Sequence, residues 1–288
     1  AKDGNILGHT DVFLEGRRNE VRSEETNLGN LTADANLFVA RQVDAGVQVS
    51  FKNGGGIRAE IGAVQGQPVP SELPPLANPG AGKPAGAVAQ LDIENSLRFN
   101  NNLSIVSLTA ANLERVFEHA VAAWTPTATP GQFGQVGGVS FAFDPTKTAQ
   151  VVNATTGAVT TEGQRVQSLV ILNEDGSIAD TIVSGGVLQG DASRVIKVVT
   201  LDFQANGGDG YPFAAYAIPG TRVDLRDNAL LGAGGATFAT KGTEQDALAE
   251  FLLARHGSDA QSYTVADLAP GGDLRIQNLA FRADTTAQ

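Results

Sequence analysis

Asn53-Gly54-Gly55-Gly56-Ile57-Arg58 is the stretch around which this chain is organised. Three consecutive glycines are costly to order, since each loses about 0.5–1 kcal/mol relative to alanine on folding. In return, glycine allows a positive φ and a close approach of the backbone to a partner. The preceding Val47–Phe51 alternates apolar and polar residues, which predicts a strand with Val47, Val49 and Phe51 on one face. An amide and a guanidinium beyond a strand end suit an anionic small molecule; the alternative is a structural turn with Arg58 in solvent.

A second stretch, 202–211, reads DFQANGGDGY and follows the apolar strand predicted at 194–201. It again places a glycine pair between an amide, Asn206, and a carboxylate, Asp209. Two glycine-rich turns that each follow a strand predict one binding site built from two loops. A single turn of this kind would be a weak signal.

Three ordered motifs carry a family resemblance: ETNLGNL at 25–31, NGGGIR at 53–58 and ANGGDGY at 205–211. Together they resemble the C-terminal domain of the bacterial and animal 5'-nucleotidases, over nearly the whole chain. Long helices separated by several strands, without a regular βαβ repeat, independently predict an α+β fold with a mixed sheet and packed helices.

The composition argues against some classes of binding partner. With 20 basic and 31 acidic residues the net charge is −11, which argues against nucleic acid or an anionic membrane as a partner. No apolar run is long enough to span a bilayer, and we see no signal peptide. The chain has neither Cys nor Met. It therefore offers no disulfide or thiolate site, and we interpret it as a fragment or a processed product.

We divide the chain into three parts. Residues 1–25 are expected to be a linker and first strand, with the strand at Thr10–Leu14. Residues 26–282 are expected to form the 5'-nucleotidase C-terminal-like domain, and 283–288 a frayed tail. Within the domain, residues 61–90 are rich in Pro, Gly and Ala and are predicted to be a mobile insertion that is dispensable for folding.

Several elements have clear signals at their ends. One helix should begin after Thr26 or Asn27 and end at Gly46, and another should begin after Thr109. Asn173–Gly176 is typical of a hairpin turn. Thr243–Asp246 predicts a capping box at the start of a last helix that ends near Gly257.

The resemblance implies roles for individual residues. In the family, two phenylalanines of this domain hold the base, an aspartate binds the ribose and arginines bind the phosphate. The substrate-binding residues are then Phe99 and Phe203 for the base, Asp209 for the ribose, Arg22 and Arg58 for the phosphate or ribose, and Asn53 for the base or sugar, with Gly55, Asn206 and Gly208 in the same loops. Arg98 and Asn100–Asn102 depart from the family pattern around the first phenylalanine, which leaves the base preference open.

The resemblance also implies what lies elsewhere. Two divalent metal ions and a catalytic His–Asp pair belong to an N-terminal metallophosphoesterase domain. This chain should contribute no catalytic residue and no metal ligand, since His9, His119 and His256 lie in three separate elements without ligand-like spacing. We therefore expect a nucleotide-binding specificity domain of a periplasmic or extracellular hydrolase, inactive alone.

Other functions remain open from the sequence. A stand-alone nucleoside-binding surface module and a structural interdomain domain are both compatible with these residues. Among enzymes of this family, a cyclic-nucleotide phosphodiesterase, a nucleotide-sugar hydrolase and a sulfur-compound hydrolase are not separated by them.

Overall fold

Two five-stranded sheets form the framework of the domain in a computed structural model, which describes residues 2–66 and 70–283. The strands are β1 Ile6–His9, β2 Val47–Asn53, β3 Ala63–Gln65, β4 Ser71–Leu73, β5 Ala87–Ala89, β6 Leu103–Thr109, β7 Gly134–Gly137, β8 Val139–Phe143, β9 Val151–Val152, β10 Val159–Thr161, β11 Val166–Leu172, β12 Ile178–Ser184, β13 Val187–Leu188, β14 Val195–Leu201, β15 Val223–Asp224 and β16 Ile276–Asn278. The helices are α1 Asn27–Val43, α2 Gln90–Ser96, α3 Ala110–Ala122, α4 Asp202–Ala205, α5 Phe213–Tyr216 and α6 Glu244–Arg255.

Both sheets are mixed, as predicted. The first sheet has the strand order β15-β6-β14-β2-β7, and only its central pair β14 and β2 is parallel. The second sheet has the order β13-β12-β11-β8-β16, with β8 and β16 parallel. The α+β fold class is therefore confirmed.

Helix α3 packs between the two sheets. Its buried Leu113 and Phe117 join a core that also contains Phe51 from the first sheet and Phe141 from the second. The chain passes from one sheet to the other between β7 and β8, at Gly138. This residue has a φ of 72°, a conformation that glycine adopts without steric cost.

The opposite face of the first sheet is covered by α1 and α6, so this sheet is buried on both sides. The predicted start of α1 is confirmed, because the Thr26 hydroxyl accepts from the backbone N–H of Gly29 at 3.0 Å. Helix α1 ends at Val43, three residues before the predicted Gly46. Thr109 caps α3 in the same way, through the N–H of Asn112, and the predicted turn at Asn173–Gly176 does join β11 to β12.

Two details of the predicted strands are wrong. Val47 packs with the α1 face while Val49 and Phe51 face α3, because the register with β14 shifts between Val47 and Val49 and breaks the alternation. The first strand is Ile6–His9, not Thr10–Leu14, where only isolated bridges form at Thr10 and Leu14.

The capping box predicted for α6 does not form, although the helix does. The Thr243 hydroxyl donates to the carbonyl oxygen of Thr240 at 2.8 Å, so it does not cap the helix. The Asp246 carboxylate instead accepts from the N–H of Gly242 at 2.9 Å. The carboxylate of Asp246 thus binds the amide that precedes the N-cap, one residue before the amide that a capping box would use.

The end of the 61–90 segment is part of the core, which contradicts the prediction that the whole segment is mobile. Ala87–Ala89 pairs with β1 and is fully buried. Nearby, the largely buried Lys83 ammonium binds the carboxylates of Asp3 and Asp92 at 3.0 and 2.6 Å. Residues 67–69 of the insertion and 284–288 of the predicted tail lie outside the described residues. The proposed domain boundaries stay a prediction.

Candidate functional site

Four loops meet at one edge of the first sheet for a topological reason. Strands β2 and β14 are parallel neighbours, so the 53–58 and 202–211 loops that follow them leave from the same edge. Strands β6 and β7 run antiparallel to these two and start at that edge, which adds loops 98–102 and 129–133. Together with Arg22, from the segment before α1, they enclose a cavity of about 320 Å³, called here the loop cavity. It is lined by Arg22, Asn53, Gly55, Gly56, Arg58, Phe99, Asn101, Gly131, Phe203 and Asp209.

A direct hydrogen bond joins the two glycine-rich loops. The Asn53 amide nitrogen donates to the Asp209 carboxylate at 2.6 Å. Asp209 adopts a left-handed φ of 52°, which is uncommon outside glycine. Its backbone carbonyl lies 2.9 Å from Nε2 of His119, which must donate this bond because a carbonyl only accepts. The loop that carries Asp209 is thus held from both sides.

His119 is a buried histidine whose Nε2 has a hydrogen-bond partner. Burial lowers the pKa of its imidazole, while the bond to Asp209 opposes this shift. The neutral ring packs edge-on against Tyr211, 4.6 Å between centroids. His119 therefore supports the cavity wall without lining it.

The three glycines at 54–56 form a single 3-10 turn, and none of them has a positive φ. Close approach is the reason for glycine: a Cβ on Gly54 would overlap the carbonyl oxygen of Val21, and one on Gly55 would lie 2.8 Å from that of Gly131. The N–H groups of Gly54 and Gly55 donate to Phe133 and Gly131 at 2.6 and 2.9 Å. These amides therefore brace neighbouring loops instead of pointing at a ligand.

Two aromatic rings are exposed in the cavity wall. Phe99 is 61% and Phe203 42% exposed, so neither ring belongs to the hydrophobic core. Gly208 lies against Phe203, since a Cβ there would be 2.5 Å from the ring. The guanidinium of Arg58 lies over Phe99, 5.5 Å from the centroid. Exposed rings at a cavity mouth provide π faces on which a planar ligand can stack.

Arg22 brings a largely buried cation to the cavity. It is 8% exposed, its Nη1 makes one long hydrogen bond to Thr129 at 3.4 Å, and its Nε has no partner. Burial lowers the pKa of its guanidinium, and the neighbouring Arg18 and Arg58 lower it further, whereas Asp209 raises it. Unsatisfied donors and mutual repulsion between arginines both favour an anion at this place.

Seven of the nine predicted site residues line the loop cavity, all except Asn206 and Gly208. Asn206 instead accepts a hydrogen bond from Arg222 at 2.6 Å. Gly208 contributes indirectly, through the ring of Phe203.

Sequence reasoning missed three lining residues: Gly56, Asn101 and Gly131. Gly56 belongs to the motif that was singled out, and Asn101 to the unusual Asn100–Asn102 run. Gly131 carried no signal in the sequence, since its place in the wall depends on Asp209 and Arg22, which are distant in sequence and would lie in ordinary contact with a Cβ there, at 3.7 and 3.9 Å.

The histidines do not form a metal centre. His9 pairs with Asp259 at 3.2 Å, and Nδ1 of His256 lies 2.8 Å from the carbonyl oxygen of Gln261. Over residues 2–66 and 70–283, no group of three or more His, Asp or Glu side chains could hold a metal ion. The residues present thus do not fit a two-metal site.

Within the same ranges, no helix is long and apolar enough to cross a membrane.

Residues 6–216 match the family model described as "5'-nucleotidase, C-terminal domain". This match covers most of the chain, which therefore belongs to the 5'-nucleotidase C-terminal domain family. Human 5'-nucleotidase is 29% identical over 210 residues, which are 71% of this chain and 30% of the human protein. The trifunctional nucleotide phosphoesterase YfkN of Bacillus subtilis is 28% identical over 205 residues, 71% of this chain and 11% of that protein. The chain thus spans less than a third of these relatives.

Solved structures agree with the fold. The 5'-nucleotidase precursor of Thermus thermophilus superposes with a TM-score of 0.62 and 25% identity, over 95% of this chain and 39% of that one. The NAD nucleotidase of Haemophilus influenzae superposes at 0.57 with 17% identity, over 96% of this chain and 38% of that one, and shows the fold alone. Both superpositions cover a larger share of this chain than the family-model match over residues 6–216.

Proposed function

We propose that the loop cavity binds a nucleoside or nucleotide, and that this domain provides substrate specificity to a metal-dependent 5'-nucleotidase-type phosphohydrolase. One observation carries the proposal: two exposed phenylalanines, Phe99 and Phe203, share a cavity with a carboxylate and a buried guanidinium. Each group matches one part of a nucleotide. The rings stack on the base, Asp209 accepts from the ribose diol and Arg22 faces the phosphate.

The expected affinity is modest. Stacking on an aromatic ring contributes about 1–3 kcal/mol per base, so two faces give roughly 2–6 kcal/mol before ordering costs. A Kd of 1 mM already needs about 4.1 kcal/mol, so binding should be on the order of millimolar. Adenosine should bind this domain nearly as tightly as AMP, because the phosphate contributes little binding free energy without metal ions.

The remaining parts of the enzyme belong to other residues in this proposal. Two divalent metal ions and the hydrolytic chemistry lie on an N-terminal metallophosphoesterase domain, so the present chain alone should not hydrolyse nucleotides. The short coverage of the relatives supports this division. We further propose a periplasmic or extracellular location, on the family resemblance alone.

Titration of adenosine, followed by chemical shifts, tests the binding proposal. Phe99→Ala and Phe203→Ala should each weaken binding about tenfold or more while leaving the melting temperature unchanged. Phe281→Ala is the matched control, because Phe281 is 53% exposed but packs near Trp124 and does not line the loop cavity. Undiminished binding in both cavity variants, or no binding of any nucleoside by the wild type, would favour a structural domain instead.

A further inference from the structure

The peptide that joins Asp209 to Gly210 has an uncommon backbone conformation. Both residues have a left-handed φ, 52° at Asp209 and 74° at Gly210. Glycine adopts this conformation without steric cost, whereas a residue with a Cβ keeps it only where its surroundings hold it. The contacts around Asp209 therefore decide where its carboxylate lies in the wall of the loop cavity.

His119 of α3 holds this peptide from behind the cavity wall. Its Nε2 donates to the carbonyl oxygen of Asp209 at 2.9 Å, and the residue is only 7% exposed. A Cβ on Gly210 would lie 3.4 Å from Cε1 of the imidazole, so this glycine packs directly against the ring. The imidazole thus gives the peptide both a hydrogen bond and a packing surface.

His119 also connects this peptide to the 129–133 loop. Its backbone carbonyl accepts from the side-chain amide of Gln132 at 2.7 Å. The Tyr211 hydroxyl donates to the backbone carbonyl of Gln132, and the Tyr211 ring lies edge-on against the imidazole. Two of the four loops around the cavity are therefore anchored to one residue that does not line it.

The Asp209 carboxylate needs this support from the backbone side. Asn53 donates to one carboxylate oxygen at 2.6 Å, and a single hydrogen bond does not fix the direction of the other oxygen. Without the Nε2 donor, the Asp209 peptide is free to leave the left-handed conformation, and the carboxylate moves with it. The position of the second oxygen thus depends on His119.

We propose that His119 is a positioning residue for ribose recognition, which holds the Asp209 peptide so that the carboxylate faces the 2'- and 3'-hydroxyl groups of a bound nucleoside. This inference rests on the proposed nucleoside-binding function. The imidazole can play this role only with a proton on Nε2, because a carbonyl oxygen only accepts hydrogen bonds.

The test compares adenosine with 2',3'-dideoxyadenosine, which keeps the base but lacks both ribose hydroxyls, by chemical-shift titration. The wild type should bind adenosine about tenfold more tightly, because hydrogen bonds to a carboxylate are charge-assisted. In His119→Met, which keeps an apolar side chain but has no donor, this preference should fall to about twofold or less. The affinity for dideoxyadenosine should stay at its wild-type value, since this ligand makes no diol contact with Asp209.

Two further variants assign the effect to the donor. His119→Gln has an amide Nε2 at the same place along the side chain, so it should restore most of the preference for adenosine. His256→Met is the matched control, because Nδ1 of His256 also lies 2.8 Å from a backbone carbonyl, that of Gln261, away from the loop cavity. This control should keep the wild-type preference.

The outcomes separate the inference from the function on which it rests. A folded His119→Met protein that keeps the preference, or that loses both nucleosides equally, would overturn the inference, since His119 would then have no specific effect on the ribose. Equal wild-type affinities for the two ligands would overturn it as well and leave base binding intact. Failure of the wild type to bind either ligand would reject the proposed function itself.

The wild-type protein also offers a test that needs no variant. The nitrogen chemical shifts of the His119 ring should show that Nε2 carries the proton at pH 7. A proton on Nδ1 with a bare Nε2 would exclude the bond to Asp209 and overturn the inference, even if His119→Met does not fold.

Discussion

The amide of Asn53 and the carboxylate of Asp209 are hydrogen-bonded at 2.6 Å although the two residues are 156 positions apart. The bond forms because β2 and β14 are parallel neighbours, which brings the turns that follow them to the same sheet edge. It leaves the second Asp209 oxygen without a hydrogen bond to Asn53. The two glycine-rich motifs therefore lie side by side in the wall of the loop cavity.

The first prediction concerns the glycine triplet. Gly54→Ala should lower the free energy of unfolding by about 1–3 kcal/mol, because its Cβ would overlap the Val21 carbonyl and force the backbone apart. Urea denaturation measures the effect. Gly232→Ala is the control, since nothing lies within 4 Å of a Cβ there and its φ is ordinary.

A Gly54→Ala protein as stable as the Gly232→Ala control would contradict this explanation of the motif. It would mean that the loops at Val21 and Gly131 do not depend on close packing against the triplet.

The sequence predicted the starts of α1 and α3 correctly. Thr26 and Thr109 cap helices as expected, since a cap depends on residues within one turn of each other. The strands at 47–53 and 195–201 follow from short apolar runs. That the two glycine-rich loops form one site was predicted from the motifs, not from the strand order.

What could not be predicted depends on pairing between distant residues. The three-residue strand β16 completes the second sheet beside β8, yet it has no alternation of its own. Asn101 faces the cavity because Glu244 holds it from 143 residues away. Val47 turns to the other face because of a bulge that only the partner strand reveals.

The second prediction concerns Arg22. Arg22→Met should leave the melting temperature of the free domain unchanged or slightly higher, and should change its free energy of unfolding by no more than about 1 kcal/mol. The reason is that the substitution removes a buried donor without a partner and a charge near Arg18 and Arg58. Inorganic phosphate at high concentration should stabilise the wild type slightly but not this variant, because phosphate binds only weakly without metal ions. Thermal melts with and without phosphate measure both effects.

Arg18→Met serves as the control for the loss of one positive charge, because Arg18 is exposed and does not line the cavity. Equal loss of the phosphate effect in both variants would show that net charge matters, not the position of Arg22.

The third prediction is a pH dependence. Burial, aided by Glu25 and Glu24, raises the pKa of Asp273 from 3.8 to about 9. Between pH 7 and 9 the unfolded chain has lost this proton while the folded chain retains it. The contribution of Asp273 to the free energy of unfolding is therefore fully present below its unfolded pKa and is lost as the pH rises through 9. The loss is up to about 1.4 kcal/mol per pH unit.

Urea denaturation at several pH values checks this dependence. Asp273→Asn keeps the shape but not the titration, so its free energy of unfolding should fall less steeply between pH 7 and 9. Asp11→Asn, at an exposed carboxylate, should keep the wild-type slope. Parallel slopes for wild type and Asp273→Asn would show that Asp273 is ionised in the folded protein.

The most direct measurement of the central claim is an intermolecular nuclear Overhauser experiment on the domain with adenosine. We predict contacts from the base protons H2 and H8 to the ring protons of both Phe99 and Phe203, because the two exposed rings share the loop cavity. The contacts to one ring should disappear when that phenylalanine is replaced by alanine. Adenosine that binds with contacts to neither ring, or that produces no contacts at all, would contradict the account.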